Sequence, residues 1–270
     1  MFLSAHYDLT VKVYLPSYIN FPHENDFTFE GEVTMSLEIL EPVDKIVLNM
    51  KDILINKEKS YLVDQNNDRI SVEKVVPLEK SEKVEISPTK PLDKGKYVNL
   101  TLVYTGLISK KLKGLYQTSY SDSDGTKKVA AVTHMEPTYA RYLVPCFDEP
   151  EYKATWKVTV IHPKGTTAIS NGMEEKEETS GDWITTRFEE TPKMSSYLLT
   201  VFISEFDFIS GRTKKDVMFR IWTKKEAKHM AQYALNAGIK CLDYYENLFN
   251  IPYPLKKEGN SNPIHSTKAI

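Results

Sequence analysis

Period-two alternation of apolar and polar side chains constrains this chain more than any other feature. In "FTFEGEVTMSLEIL" (27–40), Phe29, Gly31, Val33, Met35, Leu37 and Ile39 fall on one face, with acids and hydroxyls between them. Successive strand side chains point to opposite faces, so this run predicts a strand dry on one side and wet on the other. "HYDLTVKVYL" (6–15) alternates in the same way, and "KYVNLTLVY" (96–104) sets Val98, Leu100, Leu102 and Tyr104 against Asn99 and Thr101. Further strands are expected over 44–49, 70–76, 83–87, 127–134, 153–161, 182–190, 197–204 and 216–222. Turn-forming clusters separate them, among them "DQNND" (64–68), "SDSDG" (121–125), "SNG" (170–172), "SGD" (180–182) and "SGR" (210–212). The expected fold class is mostly β, a saddle-like β-sandwich.

After residue 225 the period changes. Ala227, Met230, Ala231, Ala234, Leu235, Leu242, Tyr245, Leu248 and Phe249 are spaced as on one helix over 226–249. Thr223 and Glu226 have the spacing of a capping box at its start, and Pro252 in "IPYP" stops it. One long helix after a run of strands reads as the opening of a second domain. Too few residues follow Pro254 to complete one, since an ordinary domain needs about 50. The organisation expected is a β domain over 1–222, the first helix and turn of an incomplete second domain over 223–257, and a tail over 258–270. The apolar stripe of helix 226–249 then lacks a cover, which predicts an exposed patch and possible self-association through it.

Charge and cysteine usage exclude several function classes. The net charge of −2 lacks the basic surplus of a nucleic-acid binder. Cys146 and Cys241 supply neither a disulfide framework nor a four-thiolate zinc site. The opening "MFLSAHYDLT" has no signal-peptide pattern, and no run approaches the ~20 apolar residues of a membrane span, so a cytoplasmic protein without a membrane segment is the default. The sequon Asn99-Leu100-Thr101 falls on a strand and reads as a surface position. The acidic run "EEKEE" (174–178) lacks the alternation and glycine of a calcium loop and reads as a solvated hairpin.

The stretch "THMEPTYARYLVPCFDEP" (133–150) concentrates the chemistry, with His134, Glu136, Arg141, Cys146, Asp148 and Glu149 among three prolines. A zinc deaminase needs His-x-Glu followed by Pro-Cys-x-x-Cys. His134, Glu136, Pro145 and Cys146 fit the first parts, but Glu149 stands where the second thiolate belongs. A Cys146–His134 nucleophile pair is formally available, against the commoner role of a free cysteine as a small buried apolar residue. No two of the six histidines are four apart around a glutamate, so the His-Glu-x-x-His zinc helix of a metalloprotease is absent from these 270 residues. No Gly-rich phosphate loop and no Gly-x-Ser-x-Gly elbow occur either. Catalytic residues and metal ligands are therefore both expected to be none.

Several segments in order resemble the N-terminal part of M1-family zinc aminopeptidases. They are "HYDLTVKVYL" (6–15), "FTFEGEVTMSLEIL" (27–40), "GKYVNLTLVYTGLISKKLKGLYQTSY" (95–120), "AVTHMEPTYARYLVPCFDEPEYKATW" (131–156), "PKMSSYLLTVFISEF" (192–206) and "ALNAGIKCLDYYENLFNIPYPLKK" (234–257). The last resembles the helix that opens the family's thermolysin-like domain. The resemblance implies that Glu136 matches a glutamate that accepts hydrogen bonds from the α-ammonium group of the substrate. His134 stands where the family has glutamine. An ordinary imidazole, charged below about pH 6.5, would oppose a cationic substrate there. Arg141, Asp148 and Glu149 are read as bracing the loop, and Cys146 as packing.

The family's zinc site and its Gly-Ala-Met-Glu-Asn loop lie beyond the point of resemblance. In their place stands "EGNSNPIHSTKAI", whose His265 is a lone tail histidine. The resemblance therefore implies a chain truncated before the catalytic motif, with no cofactor of its own although the family uses zinc. It is expected to be non-catalytic alone, with an auxiliary segment that binds peptide N-termini. Its expected partners are peptides or a full-length aminopeptidase relative. Two alternatives stay open: an isoform or subunit that acts when the zinc domain is present, and an unrelated hydrolase using Cys146 or His134.

Overall fold

The computed structural model describes residues 2–122 and 124–261. In chain order the strands are β1 (Phe2–Tyr14), β2 (Thr28–Ile39), β3 (Ile46–Asn49), β4 (Ile53–Asp64), β5 (Arg69–Leu78), β6 (Lys83–Pro88), β7 (Tyr97–Leu107), β8 (Gly114–Ser121) and β9 (Lys127–His134). They continue with β10 (Thr155–Pro163), β11 (Thr167–Ser170), β12 (Glu174–Ser180), β13 (Trp183–Phe188), β14 (Val201–Ser204), β15 (Asp207–Arg212) and β16 (Met218–Thr223). The helix α1 (Gln232–Phe249) and β17 (Lys257–Ser261) follow.

Ten strands form one sheet in the order β12-β13-β10-β1-β2-β7-β4-β5-β6-β3, and four form a second in the order β11-β14-β9-β8. A single core joins them: Val33, Met35 and Leu100 of the large sheet share it with Leu115, Ala131, Val201 and Ile203 of the small one. The mostly-β sandwich read from alternation is what the chain forms. In β2 every odd residue from Phe29 to Ile39 is buried and the even ones face outward or lie part-buried. Thr101 departs from its expected outward role. It is buried and shares a hydrogen bond of 2.9 Å with Thr34 on the neighbouring strand.

Gly31 and Gly106 show why alternation alone is not enough. Gly31 pairs with Tyr104 and Gly106 with Phe29 across β2 and β7. A Cβ on Gly31 would lie 2.3 Å from the Tyr104 ring, and one on Gly106 would lie 2.4 Å from Phe29. The two glycines leave grooves that the opposing rings fill, edge to face at 6.4 Å.

The acidic run does form a hairpin, β12 with β13, at the edge of the large sheet, where charge discourages pairing with foreign strands. Glu174 differs from the solvated reading. It accepts from Arg220 at 2.9 Å and from the buried Lys257 at 2.7 Å. That cluster ties β12 to a third sheet, β15-β16-β17, in which β17 runs parallel to β16. The first residues of the expected tail, as far as Ser261, therefore belong to a strand, while His265 lies outside the described residues.

The start of the helix is corrected. A 3-10 turn covers Lys225–Met230 and α1 begins only at Gln232. Thr223 cannot cap it, because it is the last residue of β16, paired with Asp207, and its hydroxyl is buried without a partner. At the other end Asn250, with φ of 50°, closes the helix in the left-handed conformation two residues before Pro252. The inner face of α1 packs Leu235, Ile239 and Leu242 on Phe219 and Ile221. Among the described residues no helix is long and apolar enough to cross a membrane.

His162 is fully buried between Thr166 at 2.9 Å and Thr186 at 3.0 Å. Burial pushes its pKa down from 6.5 to about 4. The unfolded chain takes up this proton below pH 6.5 while the fold excludes it until about pH 4, so stability present above pH 6.5 is lost as pH falls through that window. From His162 alone the loss between pH 7.5 and 5 should be about 2 kcal/mol. Urea unfolding at the two pH values measures it, and His162→Gln should remove that share of the difference.

Candidate functional site

His134 is the last residue of β9, and Glu136 follows two positions on. In extended chain, residues two apart share a face. Met135 between them turns into the core at 3% exposure, while Glu136 is exposed and His134 half-buried. The Glu136–Pro137 peptide bond is cis. The chain then turns back at once: the Tyr139 N–H donates to the Met135 carbonyl at 2.7 Å, and a 3-10 turn follows over Ala140–Tyr142. Among the described residues the Glu136 carboxylate has no hydrogen-bond or ion-pair partner.

Aromatic rings flank this corner. The His134 and Tyr139 rings lie 6.2 Å apart, and Tyr139 meets Tyr142 edge-on at 5.7 Å. The Lys113 ammonium stands 5.2 Å from the Tyr139 ring and 5.7 Å from that of Tyr142. Gly114, paired with His134 across β8 and β9, lets this happen. Its φ is +59°, and a Cβ there would lie 2.5 Å from the Tyr142 Cβ. The Lys113–Gly114 turn was missed by sequence reasoning. The one available signal was a glycine directly after a basic run, just ahead of a strand.

The following strap, residues 143–150, is a brace, as read. The Asp148 side chain is fully buried and accepts from Arg141 Nε at 2.9 Å and Ser196 Oγ at 2.6 Å. Its own N–H donates to Asn49 Oδ1 at 3.1 Å. Asn49 and Cys146 exchange backbone hydrogen bonds of 2.8 and 3.1 Å, which adds the strap to the end of β3. Glu149 reaches the Asn49 amide at 3.5 Å, the Tyr7 hydroxyl holds the Phe147 N–H at 3.2 Å, and Ser195 Oγ donates to the Pro150 carbonyl at 2.7 Å. The Arg141 carbonyl is in turn held by the Lys51 N–H at 2.9 Å.

Cys146 is fully buried in the main core, and burial raises its thiol well above its ordinary pKa. A thiol held protonated and away from water is no nucleophile, so the hydrolase reading through Cys146 fails. The residues present do not fit a zinc ion either: among the described residues no three His, Cys, Asp or Glu side chains converge. One groove, about 470 Å³, is lined by Phe29, Asp52, Ile53, Leu54 and Leu107 and contains neither Glu136 nor His134. The chemistry this corner offers is recognition. An exposed carboxylate without a partner of its own could accept a cation.

The brace makes a prediction. Asp148→Asn takes the nearer of two carboxylates from the largely buried Arg141, leaving only Glu82 at 3.4 Å, and should cost about 3 kcal/mol in urea unfolding. Ser196→Ala removes only a neutral donor and should cost about 1 kcal/mol.

Residues 3–198 match the model of the peptidase M1 N-terminal domain. Aminopeptidase N of Haemonchus contortus is 51% identical over 254 residues, 93% of this chain and 26% of that protein. The puromycin-sensitive aminopeptidase of Caenorhabditis elegans is 35% identical over 240 residues, 87% of this chain and 25% of that protein. Glutamyl aminopeptidase of Sus scrofa is 34% identical over 258 residues, 94% of this chain and 26% of that protein. The chain thus spans about a quarter of the length of the curated relatives it matches. A β-sandwich that carries the matched domain almost end to end places the chain in the peptidase M1 family, as its N-terminal domain.

Proposed function

We propose that this chain binds the free N-terminus of peptides as an auxiliary segment of aminopeptidase chemistry, with Glu136 accepting the α-ammonium group, and that it does not cleave peptides alone. The observation that carries this reading is the unpartnered Glu136 carboxylate in the turn just after β9, whose backbone exit is braced through Arg141 and Asp148. A carboxylate already satisfied by its own protein would have little to offer a ligand. His134, on the same face, supplies a donor or acceptor to the same group. Cleavage alone is set aside because the 270 residues hold no His-Glu-x-x-His pair to grip a Lewis-acid cation.

The quarter-length match favours a second reading, in which this segment serves hydrolysis together with a zinc-bearing segment like that of the relatives. Glu136 then does the same work in a drier pocket, where a carboxylate–ammonium pair is stronger. The two unpaired thiols, Cys146 and Cys241, support a reducing, cytoplasmic setting as part of this proposal.

The test is binding of a short apolar peptide with a free amine, followed by backbone and side-chain NMR shifts. An exposed carboxylate–ammonium pair contributes about 0.2–1 kcal/mol, so Glu136→Gln should weaken affinity about 1.4- to fivefold. N-acetylation of the peptide should do the same in the wild type and nothing further in the variant. Equal affinity for the acetylated peptide would overturn the amine-binding role. Release of an N-terminal residue from a chromogenic amide by the purified chain with added zinc would overturn the claim that it does not cleave alone.

A further inference from the structure

Lys113 brings a positive charge beside the corner around Glu136 without pairing it to the fold. Among the described residues its ammonium has no carboxylate partner and no hydrogen bond; it stands over the Tyr139 and Tyr142 rings at 5.2 and 5.7 Å. The backbone that presents it is tightly turned. The Lys113 N–H donates to the Lys111 carbonyl at 2.7 Å, and Gly114 follows at φ of +59°. Lys113 is half-buried, while Lys110 and Lys111 in the same turn are exposed and also lack a carboxylate partner among the described residues.

The register sets this charge on the face that His134 uses. Gly114 lies opposite His134 across β8 and β9, and residues opposite one another in an antiparallel pair share a face. Tyr142 fills the space that a side chain on Gly114 would take, so its ring and the Lys113 ammonium over it lie on that face. From the ammonium it is 5.2 Å to the centre of the Tyr139 ring and 6.2 Å from there to the centre of the His134 ring, which puts the charge within about 11 Å of the imidazole, the reach of three extended residues at roughly 3.3–3.6 Å each. A peptide whose amine is taken by Glu136, two residues beyond His134, can therefore place a carboxylate from its first three residues beside Lys113.

We infer that Lys113 is a specificity-determining residue of this corner, which favours peptides that carry a carboxylate within three residues of a free N-terminus. The inference rests on the amine-binding role of Glu136 and names the peptides that role selects. Glu136 and Lys113 then answer the two charges of one dipolar ligand, and opposite charges at separate points fix its direction. Lys110 and Lys111 add to the positive field of the turn, but both are solvated. Lys113 is the group that pairs, because a half-buried ammonium already held over two rings has less freedom to lose. The carboxylate can be an aspartate or glutamate side chain, or the terminus of a dipeptide or tripeptide. The two are alike in charge and differ in what amidation removes.

NMR titration of the full chain with Ala-Asp-Ala-Ala-amide and with Ala-Asn-Ala-Ala-amide tests this. The acidic peptide should bind roughly three- to fivefold more tightly, the upper part of what an exposed ion pair gives. Lys113→Gln should bring that ratio to one without changing affinity for the asparagine peptide, and Lys113→Arg should keep it. Lys110→Gln with Lys111→Gln should leave the ratio in place. Glu136→Gln should weaken both peptides alike and leave the ratio as it was, so the amine-binding role and the Lys113 role fail separately. A preference confined to the acidic tetrapeptide assigns the carboxylate to a side chain; an equal preference for Ala-Ala over its amide, lost in Lys113→Gln, admits the chain terminus as well. A wild-type ratio of one, a ratio that survives Lys113→Gln, or one lost only with Lys110 and Lys111 would overturn the inference, whatever Glu136→Gln does.

Discussion

One buried carboxylate, Asp148, holds the corner around Glu136 in place. Its carboxylate gathers Arg141 and Ser196 while its N–H donates to the Asn49 side chain, and an ion this deep is tolerated only when its lone pairs are filled. The strap it anchors closes over Cys146 and runs to Pro150, and the turn it holds at Arg141 is the turn that follows Glu136. Met135, Ala140, Leu143, Val144 and Cys146 bury this segment in the sandwich core, and the hydrogen bonds around Asp148 join it to Asn49 and Ser196. The backbone after β9 is therefore held, while the Glu136 side chain stays exposed.

Much of this was legible in the sequence because alternation is a local signal. The inward rows of β2 and β7 follow directly from every second residue being apolar. What escaped were strands whose alternation is broken by charge or by tertiary demand. β4 carries "NKEKS" in its middle, where its register with β7 shifts between Asn56 and Tyr61. β15 and β17 are short and take their place only by pairing with β16. The expected cap of the helix failed for a related reason. Thr223 had the right identity, but β16 holds it as a strand residue.

The corner itself was half legible. The motif around Glu136 and the bracing roles of Arg141 and Asp148 could be read from residue types and resemblance. The Lys113, Tyr139 and Tyr142 cluster could not, because it depends on β8 returning beside β9 with a glycine at positive φ. The Glu174–Arg220–Lys257 cluster was hidden in the same way. Its members come from three strands and look like ordinary surface charge until the small sheet docks on β12.

The most direct test of the account is where a free-amine dipeptide sits when bound to this chain, seen by crystallography or by intermolecular NMR contacts. The account places the peptide's nitrogen within about 2.9 Å of a Glu136 carboxylate oxygen, with its first side chain toward Tyr139. A peptide lodged in the groove beside Leu54 and Leu107, or one whose amine points away from Glu136, would contradict it.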